Sequence, residues 1–146
     1  MSGCVLIVED HRPTSALMTT AFDEVSPAIT CRVVETGEDA MAVLAGENEP
    51  EAVPDLVLLD HDLPGMDGYA VLEALERDER LRALPVVVVS DITERATIDR
   101  CYELGARTFV SKPNDLNGFL SFAETLTDYW FRLATRPSKV LTDGNP

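Results

Sequence analysis

The sequence predicts an α/β fold: five parallel strands in a doubly wound sheet with helices on both faces. Three observations predict it. Apolar runs and amphipathic stretches alternate five times along 146 residues, and each crossover has the length of a βαβ unit, hence right-handed connections. The run Leu56–Leu59 is apolar without a break, as in a strand buried on both faces. It enters Asp60 and then a Pro/Gly/Asp loop that ends it. Asp60 therefore stands at the carboxyl end of a central strand, where the chemistry of open parallel sheets collects.

Each element has a local reason. Cys4–Val8 is an apolar strand that ends on the acid pair Glu9-Asp10. Pro13 suits the first turn of a helix that carries Ala16, Leu17, Ala21, Phe22 and Val25 at helical spacing, and Pro27 stops it. Ile29–Val34 is the second strand. Thr36-Gly37-Glu38-Asp39 resembles a capping box and opens a short helix to about Leu44. An acidic loop with two prolines, Gly46–Pro54, leads to the third strand, Leu56–Asp60. Gly68–Arg77 is a helix with Val71, Leu72 and Leu75 inward. Pro85–Val89 is the fourth strand, ending on Ser90-Asp91. Thr93 caps the next helix, which carries Ile98, Cys101 and Leu104 and stops at Gly105. Arg107–Val110 is the fifth strand, ending at Ser111-Lys112-Pro113. Asn114 or Asp115 caps a last helix from Leu116 to about Ala134, and residues 135–146 form a polar tail. The whole reads as one domain, residues 1–146, with its core at about 4–134.

Composition narrows the function. The 26 acids against 12 bases leave a formal charge of -14, a field that repels nucleic acid. Cys4, Cys31 and Cys101 lack metal spacing and read as three small buried hydrophobes in a reducing cytosol. No signal peptide opens the chain, and no apolar run approaches the ~18 residues of a membrane span. The expected place is the cytoplasm, with no membrane partner.

Four strands end on polar residues of particular kinds: Glu9-Asp10, Asp60, Ser90 and Lys112. Lys112 is one of two lysines in a chain with ten arginines. In a doubly wound sheet these tips meet on one edge. Three carboxylates that close together need a cation to stay ionised. Mg²⁺ fits, because it accepts one or two carboxylates and keeps its waters. Asp10 and Asp60 would ligate it directly and Glu9 through water. Asp60 can then attack phosphorus, with Lys112 and the Ser90 hydroxyl meeting the outer phosphoryl oxygens. Singly, each residue has a plainer reading: Glu9-Asp10 a solvated turn, Asp60 a turn aspartate, Ser90 a strand end, Lys112 a surface cation. The pattern carries the argument, because every type stands at a strand tip.

In these residues the chain resembles the receiver domain of two-component response regulators, the CheY-like superfamily. The matching pieces are Val8-Glu9-Asp10, Leu58-Leu59-Asp60 with Leu63–Gly68, Val89-Ser90, and Phe109-Val110-Ser111-Lys112-Pro113. The resemblance implies a flavodoxin-like (βα)5 fold with strand order 2-1-3-4-5. It implies phosphoryl transfer from a sensor histidine kinase's phosphohistidine to Asp60, with Mg²⁺ held by Glu9, Asp10, Asp60 and the backbone carbonyl of Asp62. It implies a cis Lys112–Pro113 peptide that aims Lys112 inward. It makes Ser90 and Phe109 a switch pair that reshapes the face built by the fourth and fifth strands and helices. Three positions depart from the usual pattern. Asp62 adds charge at the rim, where the family tunes acyl-phosphate lifetime. Asp91 follows Ser90 where a small residue is usual, and is read as a helix cap. Phe109 lacks the hydroxyl of the commoner tyrosine. His11 and His61 read as exposed residues beside the acids.

The last helix carries a core stripe, Leu116, Phe119, Leu120, Ala123, Leu126 and Trp130, and a second set, Phe122, Tyr129, Phe131 and Leu133. One face cannot hide both. The second set implies a homodimer seam or a partner surface, or a helix that folds back on its own domain. No DNA-binding or catalytic domain follows within these residues, so output passes to a downstream protein or a phosphotransfer partner. The ending Asp128-Tyr129-Trp130-Phe131 and the long loop before Pro54 resemble single-domain regulators paired with phytochrome-type sensor kinases. Two rivals remain. Asp60-His61-Asp62 is also similar to the D-x-D nucleophile of haloacid-dehalogenase-type phosphatases, although the acid pair here precedes the nucleophile strand. A phosphate-independent binding module would keep the fold and lose the chemistry.

Overall fold

The structure is a computed structural model that describes residues 3–46 and 53–133. Five parallel strands, β1 (Gly3–Val8), β2 (Ile29–Val34), β3 (Leu56–Leu59), β4 (Val86–Ser90) and β5 (Thr108–Ser111), lie in the order 2-1-3-4-5. Five helices alternate with them: α1 (Arg12–Val25), α2 (Gly37–Leu44), α3 (Gly68–Arg77), α4 (Arg95–Glu103) and α5 (Leu116–Leu126). A π-helical segment, Thr127–Leu133, continues α5 without a break. The expected strand order and layering are present.

The period of a strand sorts the core into two layers. Val5 and Ile7 of β1 face one way, with Leu58 and Val87, against Met18, Ala21 and Phe22 of α1 and Phe119 and Ala123 of α5. Leu6 and Val8 face the other way, with Leu59 and Val88, against Ala40 and Leu44 of α2, Val71, Leu72 and Leu75 of α3 and Cys101 of α4. Every residue of β3 and β4 is buried, which is why their sequences carry no alternation.

Local signals placed most ends. Thr36 accepts the Asp39 N–H at the start of α2, and Asp115 accepts the Gly118 N–H at the start of α5. Others differ. Neither Thr93 nor Asp91 caps α4: Glu94 holds the cap position without a side-chain hydrogen bond. Ala16 and Leu116 point to solvent; Met18 takes the inward place in α1. Only Cys101 is buried, with Cys4 and Cys31 half-buried on the two strands at one side of the sheet.

The last helix does more than one face of an α-helix allows. In a π-helix each residue advances less around the axis, so the neighbours Trp130 and Phe131 both turn inward and join the α1/α5 core. The Phe131 ring lies against Gly3, where there is no room for a side chain, and Arg107 stacks 5.8 Å above the Trp130 ring. Tyr129 remains 50% exposed. Helix and π segment together run to Leu133; Ala134 and the tail lie outside the described residues, as does most of the loop before Pro54.

Candidate functional site

The strand tips meet, and the backbone explains how. Each ladder runs one hydrogen bond past its strand. The Glu9 N–H donates to the Val34 carbonyl, the Asp60 N–H to Val8 and the Lys112 N–H to Ser90, each at 3.0 Å. The residues that carry chemistry are thus fixed in register with the sheet although they stand in loops. Glu9 is further held by the His11 N–H on its Oε2 at 3.1 Å.

At the centre lie Glu9, Asp10 and Asp60, with one oxygen of each within 4.8 Å of the others. Glu9 and Asp60 are buried and Asp10 is exposed, so the cluster opens to solvent on one side. The Lys112 ammonium enters from β5, 3.0 Å from Glu9 Oε1 and 3.7 Å from Asp60 Oδ1, with its side chain only 13% exposed. Burial works against its charge, but the bond to Glu9 and the charges of Asp60, Glu9 and Asp91 hold its pKa above the ordinary lysine value. Burial, and then the charge of Glu9, push the Asp60 carboxyl from 3.8 up to about 7 against the pull of Lys112. Three carboxylates against one ammonium leave two negative charges uncompensated. Hard oxygen donors with that excess fit a divalent cation and relieve the strain that Asp60 records.

Ser90 is buried at the end of β4, and its hydroxyl accepts the Ile92 N–H at 3.1 Å. Phe109 sits half-buried in β5 against the α2/α3/α4 core layer. Asp62 is exposed, and its N–H donates to Asp60 Oδ1 at 3.3 Å. Two expectations need correction. The Lys112–Pro113 peptide is trans, like the other peptides among the described residues. Trans is the ordinary state of an X–Pro bond, and here Lys112 reaches the acids with it. His61 is not exposed: both ring nitrogens are shut off from solvent without a hydrogen-bond partner among the described residues. The Tyr69 ring packs edge-on at 4.5 Å and encloses it. His11 is exposed as expected and bonds Thr14 at 2.7 Å.

Tyr102 of α4 has a contact that no sequence signal pointed to. Its hydroxyl accepts the N–H of Phe109 at 3.0 Å, on the open edge of β5. It puts a phenol beside the position where Phe109 itself lacks one.

The model of the response regulator receiver domain matches residues 5–123, which include every residue of this cluster. The chain belongs to that family. It is a receiver domain of two-component signalling, and its relatives agree. The probable methanogenesis regulatory protein FilR2 of Methanothrix harundinacea is 32% identical over 127 residues, 86% of this chain and 82% of its own length. The crystal structure of the phosphorylated cyanobacterial phytochrome response regulator RcpA is similar over 94% of this chain and 100% of that one. Its TM-score is 0.86, at 30% identity. The Mn²⁺-bound form of response regulator Rcp1, a protein of Synechocystis, is similar over 93% of this chain and 99% of that one, at TM-score 0.82 and 28% identity. That a relative takes a divalent ion agrees with the donor set here. No helix among the described residues is long and apolar enough to cross a membrane.

Proposed function

We propose that this receiver accepts a phosphoryl group on Asp60 from the phosphohistidine of a sensor histidine kinase, with Mg²⁺ as its cofactor. The observation that carries the reading is Lys112, whose ammonium lies within 4 Å of both Glu9 and Asp60 instead of in bulk solvent. Glu9, Asp10, Asp60 and the Asp62 carbonyl would hold Mg²⁺, which supplies positive charge for a phosphoryl oxygen. An Asp60 oxygen bonds to phosphorus as the P–N bond of the donor breaks; the imidazole leaves neutral when its other ring nitrogen carries a proton, and otherwise the freed nitrogen takes one up. Lys112 stays charged at neutral pH, since its pKa is held high, and meets a second phosphoryl oxygen. The Ser90 hydroxyl leaves the Ile92 N–H for a third.

The signal then passes through Ser90 and Phe109 to the face formed by β4, α4, β5 and α5, and from there to a downstream protein or a phosphotransfer partner. The reading makes the chain a single cytoplasmic domain that catalyses only its own phosphorylation and dephosphorylation. A kinase of phytochrome type fits, because RcpA is described as a phytochrome response regulator. A homodimer through the aromatic end of the last helix fits the exposure of Tyr129.

Incubation with a small phosphodonor and Mg²⁺, followed by intact mass, tests the chemistry. One phosphoryl group should appear on the wild type and none on Asp60→Ala. Catalytic turnover of a free phosphate monoester, with no stoichiometric adduct, would point to the phosphatase rival instead.

A further inference from the structure

The loop between β3 and α3 has to place the Asp62 carbonyl. It is fixed at both ends: the Asp62 N–H donates to Asp60 Oδ1 at 3.3 Å, and the Gly68 N–H to the His61 carbonyl at 3.0 Å. Leu63 tucks its side chain into the core. Beyond Leu63 the loop turns outward through Pro64 and Gly65, and Gly65 takes a left-handed φ of 69°. There α2 meets it. Glu38, in the first turn of α2, accepts the Met66 N–H on Oε2 at 3.2 Å, across 28 residues of sequence. The residue before it, Gly37, lies so close to the loop that a Cβ there would come within 2.5 Å of the Met66 carbonyl. Two consecutive residues of α2 therefore meet one residue of the loop, Met66: Glu38 bonds its N–H and Gly37 lies against its carbonyl.

We propose that Glu38 is a positioning residue for the metal and phosphoryl site: it holds the β3–α3 loop at Met66 and so keeps the Asp62 carbonyl in place for the divalent ion. The inference rests on the proposed function, which gives Asp62 its role. Glu38 touches neither ion nor phosphoryl group. Its part is to spare the loop an ordering cost that ion binding would otherwise bear. The carboxylate matters as an acceptor, so glutamine, whose side-chain carbonyl can take the same N–H, should replace it. The second contact explains why glycine stands at position 37, where any Cβ would collide with the Met66 carbonyl.

The test is Mg²⁺ titration by calorimetry on the wild type, Glu38→Ala and Glu38→Gln, alongside thermal melts and phosphorylation by a small phosphodonor. Glu38→Ala should weaken Mg²⁺ binding about three- to tenfold, with the melting temperature of the metal-free protein little changed. Its phosphorylation should slow at limiting Mg²⁺ and recover at saturation. Glu38→Gln should bind within about twofold of wild type. An unchanged affinity in Glu38→Ala overturns the proposal, and so does a Gln variant as weak as Ala, since charge rather than the loop bond would then be responsible. If the wild type takes up no phosphoryl group at all, the proposed function has failed; if it does and Glu38→Ala binds Mg²⁺ normally, only this inference has.

Discussion

Asp60 is held in a state that its fold does not favour. Without a cation its carboxyl is pushed up to about 7 from 3.8, first by burial and then by Glu9. A pKa raised on folding contributes stability below the unfolded value, and that contribution is lost as pH climbs through the folded one. Asp60 should therefore make the metal-free protein less stable as pH rises from about 4 to about 7, then add no further dependence. Asp60→Asn keeps the shape and removes the titration. Its melting temperature should exceed wild type by several degrees at pH 7.5, and the gap should close near pH 4. Parallel melting curves at every pH would refute the assignment. Lys112 opposes the same strain, since one ammonium between Glu9 and Asp60 is the compensation the described residues offer within 4 Å. The type of each of these residues was legible at a strand tip. The enclosure of His61 by Tyr69 and the bond from Phe109 to Tyr102 were not, because they depend on which loop and helix face each other.

Among elements, the π segment departs furthest from the pattern in the sequence. Trp130 and Phe131 are neighbours, and an ordinary α-helix would turn one of them away from the core. The wider turn brings both in, with Phe131 closing over Gly3. Phe131→Ala should cost about 3 kcal/mol in denaturant unfolding, as for a buried aromatic, whereas Tyr129→Ala should cost well under half of that. Equal effects would mean that Phe131 does not pack as described. No local rule announces a π turn. It forms because burying a second aromatic outweighs regular hydrogen bonding. The helix caps were easier to read, since Thr36 and Asp115 act within three residues of themselves. The start of α4 was harder: it has no side-chain cap, and Cys101 is its one buried residue.

For the whole molecule, the aromatic surplus at the end of the last helix is smaller than the sequence suggests. Phe131 is inside and Phe122 half-buried, which leaves Tyr129 as the large exposed ring on the π segment. A homodimer then has less apolar surface to use, and the net charge of -14 opposes close approach at low salt. Sedimentation velocity over a wide concentration range should show association that strengthens with salt. A monomer at every concentration and ionic strength would remove the dimer.

By itself the sequence determined the five-fold alternation of strand and helix and the acid, hydroxyl and lysine at the strand tips. Those depend on apolar periodicity and turn chemistry acting over a few residues. Tertiary structure decided that Lys112 reaches Glu9 and Asp60 through a trans peptide, that α2 holds the loop after Asp60, and that two adjacent aromatics share one core. Each of these rests on groups distant in the chain competing for the same small volume, and that competition is settled only when the layers pack.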